Sequence, residues 1–176
     1  MAWNVKDLVK GDNLLFYLVS GATSADTSLN SGTCKVLAYA TSASIQIDSE
    51  AIDTSSKFSC KWGSNYGGRA SYTVSVDALY CQATAAATNG AVSFDVLMDL
   101  MVVGEPVRWV LGQELERPDN VDCDQFMHQI DTSLPYFYGK AAITSLSLSA
   151  GNNEIASCSM TMNGDGPIES GTGDKS

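Results

Sequence analysis

The stretch YGKAAITSLSLSAGNNEIASCSMTMNGDG, residues 138–166, decides the fold. It reads as two strands and a tight turn. Successive side chains of a strand point to opposite faces. On the first strand Ala142, Thr144, Leu146 and Leu148 therefore share one side, and Ser145, Ser147 and Ser149 the other. On the second, Ala156, Cys158, Met160 and Met162 lie opposite Ser157, Ser159 and Thr161. The turn falls on Gly151-Asn152-Asn153, residue types that tolerate positive φ. Folding about Asn152 sets Leu148 against Ala156, Leu146 against Cys158 and Thr144 against Met160. On the other face Ser147 meets Ser157 and Ser145 meets Ser159. A one-residue slip would oppose apolar residues to serines. A two-residue slip fits the pattern equally, and only the turn argues against it. The apolar face predicts a sandwich core.

Working back from the hairpin, Gln113 to Pro135 is acidic, with Glu114, Glu116, Asp119, Asp122, Asp124 and Asp131 opposed only by Arg117. Such a run reads as a solvated loop. Pro106 to Leu111 predicts a strand with Val107, Trp109 and Leu111 facing together. Ser93 starts a helix that Gly104 ends, with Asp95 in the first turn, where negative charge suits the helix dipole. Phe94, Leu97, Met98 and Met101 follow helical spacing, but Val96, Leu100 and Val103 make the opposite side apolar as well. A helix apolar nearly all round is buried on several sides, under its own loops or against another subunit.

Earlier in the chain, Tyr72, Val74 and Val76 alternate as one face of a strand. Strand character also covers Leu14–Val19, Lys35–Ala40 and Ala43–Ile47, with Ile45 and Ile47 on one face. Between them residues 48–70 read as a long loop containing Lys57, Phe58, Trp62, Tyr66 and Arg69. Aromatics in a loop either tack it to its own domain or anchor it on a neighbouring chain, where aromatics and Arg are the usual anchors. Beyond the hairpin, residues 164–176 are nearly devoid of apolar side chains and predict a flexible tail. The expected organisation is one domain over residues 1–163.

Composition narrows the function. Charged residues make up 17% of the chain, below the roughly 25% of ordinary soluble domains. Ser, Thr and Ala replace them, as expected where strand faces are covered by partner chains. The net charge of −10 and the lack of a Lys/Arg cluster argue against sequence-reading nucleic-acid binding. Cysteines 34, 60, 81, 123 and 158 form no CxxC pair, so reduced thiols are expected rather than zinc. The apolar run Leu14–Val19 is too short for a signal peptide core or a membrane span.

Catalytic chemistry finds no support. The single histidine, His128, follows Cys123 by five positions without any nucleophile motif around it. Asp119, Asp122 and Asp124 lack the Gly and Glu positions of an EF-hand. No phosphate-cradling loop occurs, and neither an enzyme nor a cofactor is expected.

With these residues laid out, the chain resembles the major tail tube proteins of long-tailed, siphovirus-like bacteriophages. The segments that carry the resemblance are IQIDSEAIDTSSKFSCKW (45–62), ASYTVSVDALY (70–80), SFDVLMDLMVVGEPVRWVL (93–111) and the terminal hairpin (138–166). Tyr72 stands where the family often has Trp, and Ala78 where it often has Gly. The resemblance implies a mainly β fold, an antiparallel β-sandwich or barrel with one flanking α-helix. It implies a structural virion protein of the tail, assembled in the host cytoplasm. Six copies would form a ring, and stacked rings a tube through which double-stranded DNA passes without sequence-specific binding. Implied partners are further copies of the chain and the tape measure, tail terminator and distal tail proteins; no membrane is involved. Lys57, Phe58, Trp62, Tyr66 and Arg69 are then candidates for contacts between rings, and Val96 and Leu100 for contacts within a ring. Two rival readings are another virion, secretion-tube or decoration protein on a similar sandwich, and a carbohydrate-binding or adhesive β-sandwich.

Overall fold

The structure is a computed structural model. It describes residues 14–19, 34–36 (backbone only), 40–55, 65–80, 92–116 and 130–171. The strands are β1 (Leu14–Val19), β2 (Cys34–Val36), β3 (Ala40–Asp53) and β4 (Asn65–Leu79), then, after helix α1 (Phe94–Val103), β5 (Val107–Gln113), β6 (Tyr136–Ser149), β7 (Ser157–Gly164) and β8 (Glu169–Gly171). All pairings are antiparallel, in the order β2-β1-β5-β6-β7-β4-β3, with β8 also on β6.

β6 is the hinge of this sheet. Its first half, Phe137–Ala141, pairs with β5, and its second, Ala141–Ser149, pairs with β7. Ala141 touches both partners, so they lie on opposite sides of the strand. The sheet creases there, and the two halves close on one core. β5 and β4 stand three strand positions apart, about 14 Å in a flat sheet, yet the rings of Tyr72 and Trp109 meet edge to face at 5.8 Å. Phe16 stacks on the other side of Trp109 at 6.2 Å. The core adds Val74, Val76, Val107, Cys158, Met160 and Met162, together with Leu97 of α1. A smaller cluster, Tyr17, Val110 and Ile130, covers the outer face of β1 and β5. The mainly β sandwich with a flanking helix is thus observed.

Several expectations are met residue by residue. β1 spans Leu14–Val19 as read. Tyr72, Val74 and Val76 are all buried, as are Val107 and Trp109. Gly104 ends α1 in the left-handed region at φ 74, its N–H bonding Leu100 O at 3.2 Å. Ser93 begins it, but its hydroxyl is buried without a hydrogen-bond partner and caps nothing.

The terminal hairpin needs two corrections. Its register is the two-residue slip, pairing Leu148 with Cys158, Leu146 with Met160 and Ser147 with Ser159. The turn uses the expected Gly151-Asn152-Asn153, with Asn153 at φ 63, but the strands fold about Asn153 rather than Asn152. A bulge then inserts Thr144 between the pairs Ile143–Met162 and Ser145–Thr161. One extra residue reverses the alternation. Ala141 and Ile143 therefore face the core before the bulge and Leu146 after it, while Ala142 and Thr144 leave it; Leu148 shares the face of Leu146 but is 49% exposed. The bulge lies three residues past Ala141, where the strand changes partners.

Two segments expected to be irregular are strands. β3 runs to Asp53 and β4 starts at Asn65, so most of the expected loop 48–70 is a paired ladder, from Asp48–Ser71 to Asp53–Asn65. Of the expected tail, residues 169–171 form β8 against Tyr136–Tyr138, and the Tyr138 hydroxyl donates to Glu169 Oε2 at 2.5 Å. Backbone pairing needs no apolar side chain, which is why polar sequence concealed both strands.

Candidate subunit interfaces

Three surfaces stand out. The first is the arm formed where β3 and β4 run past the body of the sandwich. Residues 48–53 and 65–71 are exposed on both faces, apart from half-buried Gly68. Ile52 and Tyr66 pair directly across the ladder, 49% and 71% exposed, and Ile47 nearer the body is 65% exposed. A register shift between Ser49 and Ala51 lets the arm bend. Gly68 is required there, because a Cβ would lie 2.9 Å from Glu50 O and 3.1 Å from Ile52. At the end of β3, Asp53 accepts the Ser55 N–H at 2.8 Å, and hydrogen bonds from Ser55 hold its carboxyl below the ordinary value. Of the predicted ring-to-ring residues, Tyr66 and Arg69 lie exposed on this arm. Lys57, Phe58 and Trp62 fall outside the described residues, as do His128 and Cys123.

The second surface is a pair of strand edges. On its outer side β3 has no partner strand among the described residues. β6 is likewise open along residues 142–149, on the side that β5 leaves after Ala141. Proteins usually guard such edges with Lys, Pro or a short strand. Neither Ala40–Ser49 nor Ala142–Ser149 contains Lys, Arg or Pro. The two edges bound one four-stranded half-sheet, β3-β4-β7-β6, at its opposite ends.

The third is α1. Leu97 is buried, and Phe94 and Leu100 pack partly on the core. Leu100, predicted to face a neighbour, thus leans inward at the i+3 spacing of Leu97, whereas Val96 is 45% exposed as expected. Met98 and Met101, predicted for the core side, are instead exposed with Val102 and Val103, the former at 82%. The helix is apolar around most of its circumference, so periodicity alone did not fix its rotation.

These surfaces rest on a rigid support. Tyr72 wedges between β6 and β7, its hydroxyl donating to Lys140 O and accepting from Trp109 Nε1 at 3.4 Å. Burial pushes its phenol above the ordinary value. A Cβ on Gly164 would come within 2.2 Å of the Tyr72 ring, and one on Gly139 within 2.7 Å of its hydroxyl. The glycines at the ends of the hairpin motif therefore make room for one aromatic. Cys158 is a free thiol whose pKa burial raises, so it stays protonated and unreactive at neutral pH.

Among the described residues no cluster of His, Cys, Asp or Glu forms a metal site, and no helix is long and apolar enough to cross a membrane. The described residues thus leave two strand edges, an arm and an apolar helix ridge exposed on the single chain.

The chain belongs to the phage tail tube protein family, whose model matches residues 9–170. It is a structural component of a phage tail. No curated protein sequence matches it. Among solved structures it is similar to a protein in the tail of an empty gene transfer agent particle, refined with C6 symmetry. That pair has 19% identity and a TM-score of 0.62, covering 92% of this chain and 98% of the other. It is also similar to the SPP1 tail tube, at 10% identity and TM-score 0.63 over 94% and 80% of the two chains. A third likeness is to a chain of an anti-feeding prophage baseplate, at 8% identity and TM-score 0.56 over 98% of each chain.

Proposed function

We propose that six copies of this chain close into a ring by edge-to-edge strand pairing, β3 of one copy beside residues 142–149 of β6 in the next. The observation that carries this reading is the pair of unguarded edges at opposite ends of one half-sheet. Two different edges make a head-to-tail contact, which generates a closed ring when the rotation fits. The copy number follows the C6 tail that the chain resembles. Rings stack through the arms, where Ile52, Tyr66 and Arg69 meet the next ring, joined by Lys57, Phe58 and Trp62. Val96 and the rest of the exposed α1 ridge pack on the neighbour within the ring, with Leu100 at the margin of that contact.

The stacked rings form a conduit for double-stranded DNA, assembled in the host cytoplasm. Tape measure, tail terminator and distal tail proteins are the fitting partners for its inside and ends. The role needs no catalytic group and no cofactor. Among the described residues the exposed aromatics Tyr66 and Phe137 lie on the arm and on β6, not in the row that a glycan-binding platform presents.

Negative-stain electron microscopy with sizing chromatography tests the reading on the purified, concentrated protein. Rings or hollow tubes are the expected result. Single cysteines along residues 42–46 should also form disulfides with cysteines along 145–149 of another copy, and a monomer at every concentration would overturn the proposal.

A further inference from the structure

Resting on the reading that rings stack through their arms, we infer that the arm of one copy docks on the tip of the β6–β7 hairpin of a copy in the next ring. Ile52 and Tyr66 seat against Leu148 and Ile155, and Arg69 meets Glu154. The two surfaces lie at opposite ends of one half-sheet. The pairs of β4 with β7 run from Thr73–Asn163 to Leu79–Ser157. The arm leaves the Thr73 end, through residues 71 to 65. The hairpin turn leaves the Leu79 end, where the Tyr80 N–H bonds Ala156 O at 2.8 Å. The exposed large apolar side chains of this half-sheet gather at the same two ends. Ile52 and Tyr66 lie on the arm with Ile47 at its base, and Leu148 and Ile155 lie on the hairpin, Ile155 at 73% exposure. Between them Val74, Val76, Met160 and Met162 are buried. The hairpin overhangs the core: Leu146 packs on it, whereas Leu148, next on the same face, is half exposed.

Stacking decides which surfaces meet. Strands joined edge to edge into a ring run along its axis with a tilt, so the ends of the half-sheet are the ends of the ring. Rings stacked in one orientation bring unlike ends together, and what projects from one end of a copy must land on what the other end presents. The order of groups along the axis is complementary. On the arm Arg69 lies nearer the body and the Ile52–Tyr66 pair farther out. On the hairpin Glu154 lies in the outermost turn and the Leu148–Cys158 pair nearer the body. Arg69 and Tyr66 are about 10 Å apart along their strand, and Glu154 and Cys158 at most about 13 Å. Head to tail, charge therefore meets charge and apolar meets apolar. Arg69 is the only Lys or Arg in residues 48–53 and 65–71, and Glu154 the only charged residue in 149–156. The arm's acids, Asp48, Glu50 and Asp53, all lie on β3, so β4 is the strand that turns its charge to the hairpin. The Glu154 carboxylate lies over Gly151, where a Cβ would come within 2.5 Å of Oε2. An exposed pair contributes little alone, but the contact repeats around the ring and acts multivalently.

The test uses Tyr66→Cys/Ile155→Cys assembled into tubes, oxidised mildly and run on a denaturing gel without reductant, with the unsubstituted chain as the baseline for the native cysteines. Within one chain the paired stretch Thr73–Leu79, about 20 Å long, separates the two positions, beyond the roughly 7 Å between Cα atoms that a disulfide spans. Any new link therefore joins two copies. A ring closes on itself, so species longer than one ring of chains arise only from links between rings. Tubes should give such species, and unassembled protein none. Tubes that give none above the baseline would overturn the inference while leaving the ring in place. Failure of the unsubstituted chain to stack into tubes would remove the arm-to-ring reading instead, and this inference with it. Charge reversal is the independent check, and it holds even if the cysteine variant does not assemble. Arg69→Glu and Glu154→Arg should each lower tube yield at least about five-fold, and Arg69→Glu/Glu154→Arg should restore it to within about two-fold. A double variant as poor as either single one would overturn the pairing of arm with hairpin tip.

Discussion

β3 and β4 pass through two environments on one continuous ladder. In the body, Tyr72, Val74, Val76 and Ala78 are at most 5% exposed and touch strands from the other half of the sheet. In the arm, the same two strands expose Ile52 and Tyr66, and Ile47 beside it is exposed as well. The hydrogen-bond pattern is shared; the burial is not. A lone two-stranded ribbon is marginal in water, and burial supplies most of the stabilisation of a domain. The body is therefore built for folding, and under the proposed ring-to-ring contact the arm would gain its second burial surface from the next ring.

Substitutions should separate the two regions. Trp109→Ala should cost about 3–5 kcal/mol, because it empties the centre of the core between Phe16 and Tyr72. Chemical denaturation measures this, and a loss below about 1 kcal/mol would break the view of Trp109 as the centre of the body. Gly164→Ala should cost about 1–3 kcal/mol by driving a methyl into the Tyr72 ring. Tyr72→Leu should rescue part of that loss; no rescue would mean that the glycine serves its backbone rather than its neighbour.

In the arm, Tyr66→Ala or Arg69→Ala should leave monomer stability within about 0.5 kcal/mol while tube yield falls several-fold. Normal yield with a lowered melting temperature would reverse the comparison and make the arm part of the fold.

The smallest effect belongs to β8. Its hydrogen bond to Glu169 raises the Tyr138 pKa above the ordinary phenol value. A raised pKa in the folded state means that the contribution is present at neutral pH and fades as pH climbs above 10. Amide exchange of residues 169–171 should therefore quicken there beyond the intrinsic base-catalysed rise. Tyr138→Phe should abolish that extra acceleration, at a cost of at most about 0.5 kcal/mol since the pair is solvent-screened. Identical profiles for both proteins would show that the backbone pairs alone hold β8.

Much of the body was legible because its signals are local. Alternation at Tyr72–Val76, the continuous apolar run at Leu14–Val19 and the glycine after α1 each report on a few adjacent residues. The arm was not legible, because residues 48–53 and 65–71 pair through backbone groups and leave their side chains in solvent. Among the candidate interface residues, Tyr66, Arg69 and Val96 are exposed as their chemistry suggested. The inward lean of Leu100 depends on the rotation of a helix whose apolar residues encircle it.

Sequence patterning alone carried the strand-rich body, the apolar and hydroxyl faces of β7, the helix limits and the resemblance to tail tubes. Tertiary packing was needed to fix the hairpin register, the Thr144 bulge, the crease at β6 and the open edges of β3 and of residues 142–149. The physical reason is that period-two patterning survives any two-residue slip. The choice among registers, and the place where a strand changes partners, comes from packing across the sandwich, where Tyr72 must find space between Gly139 and Gly164.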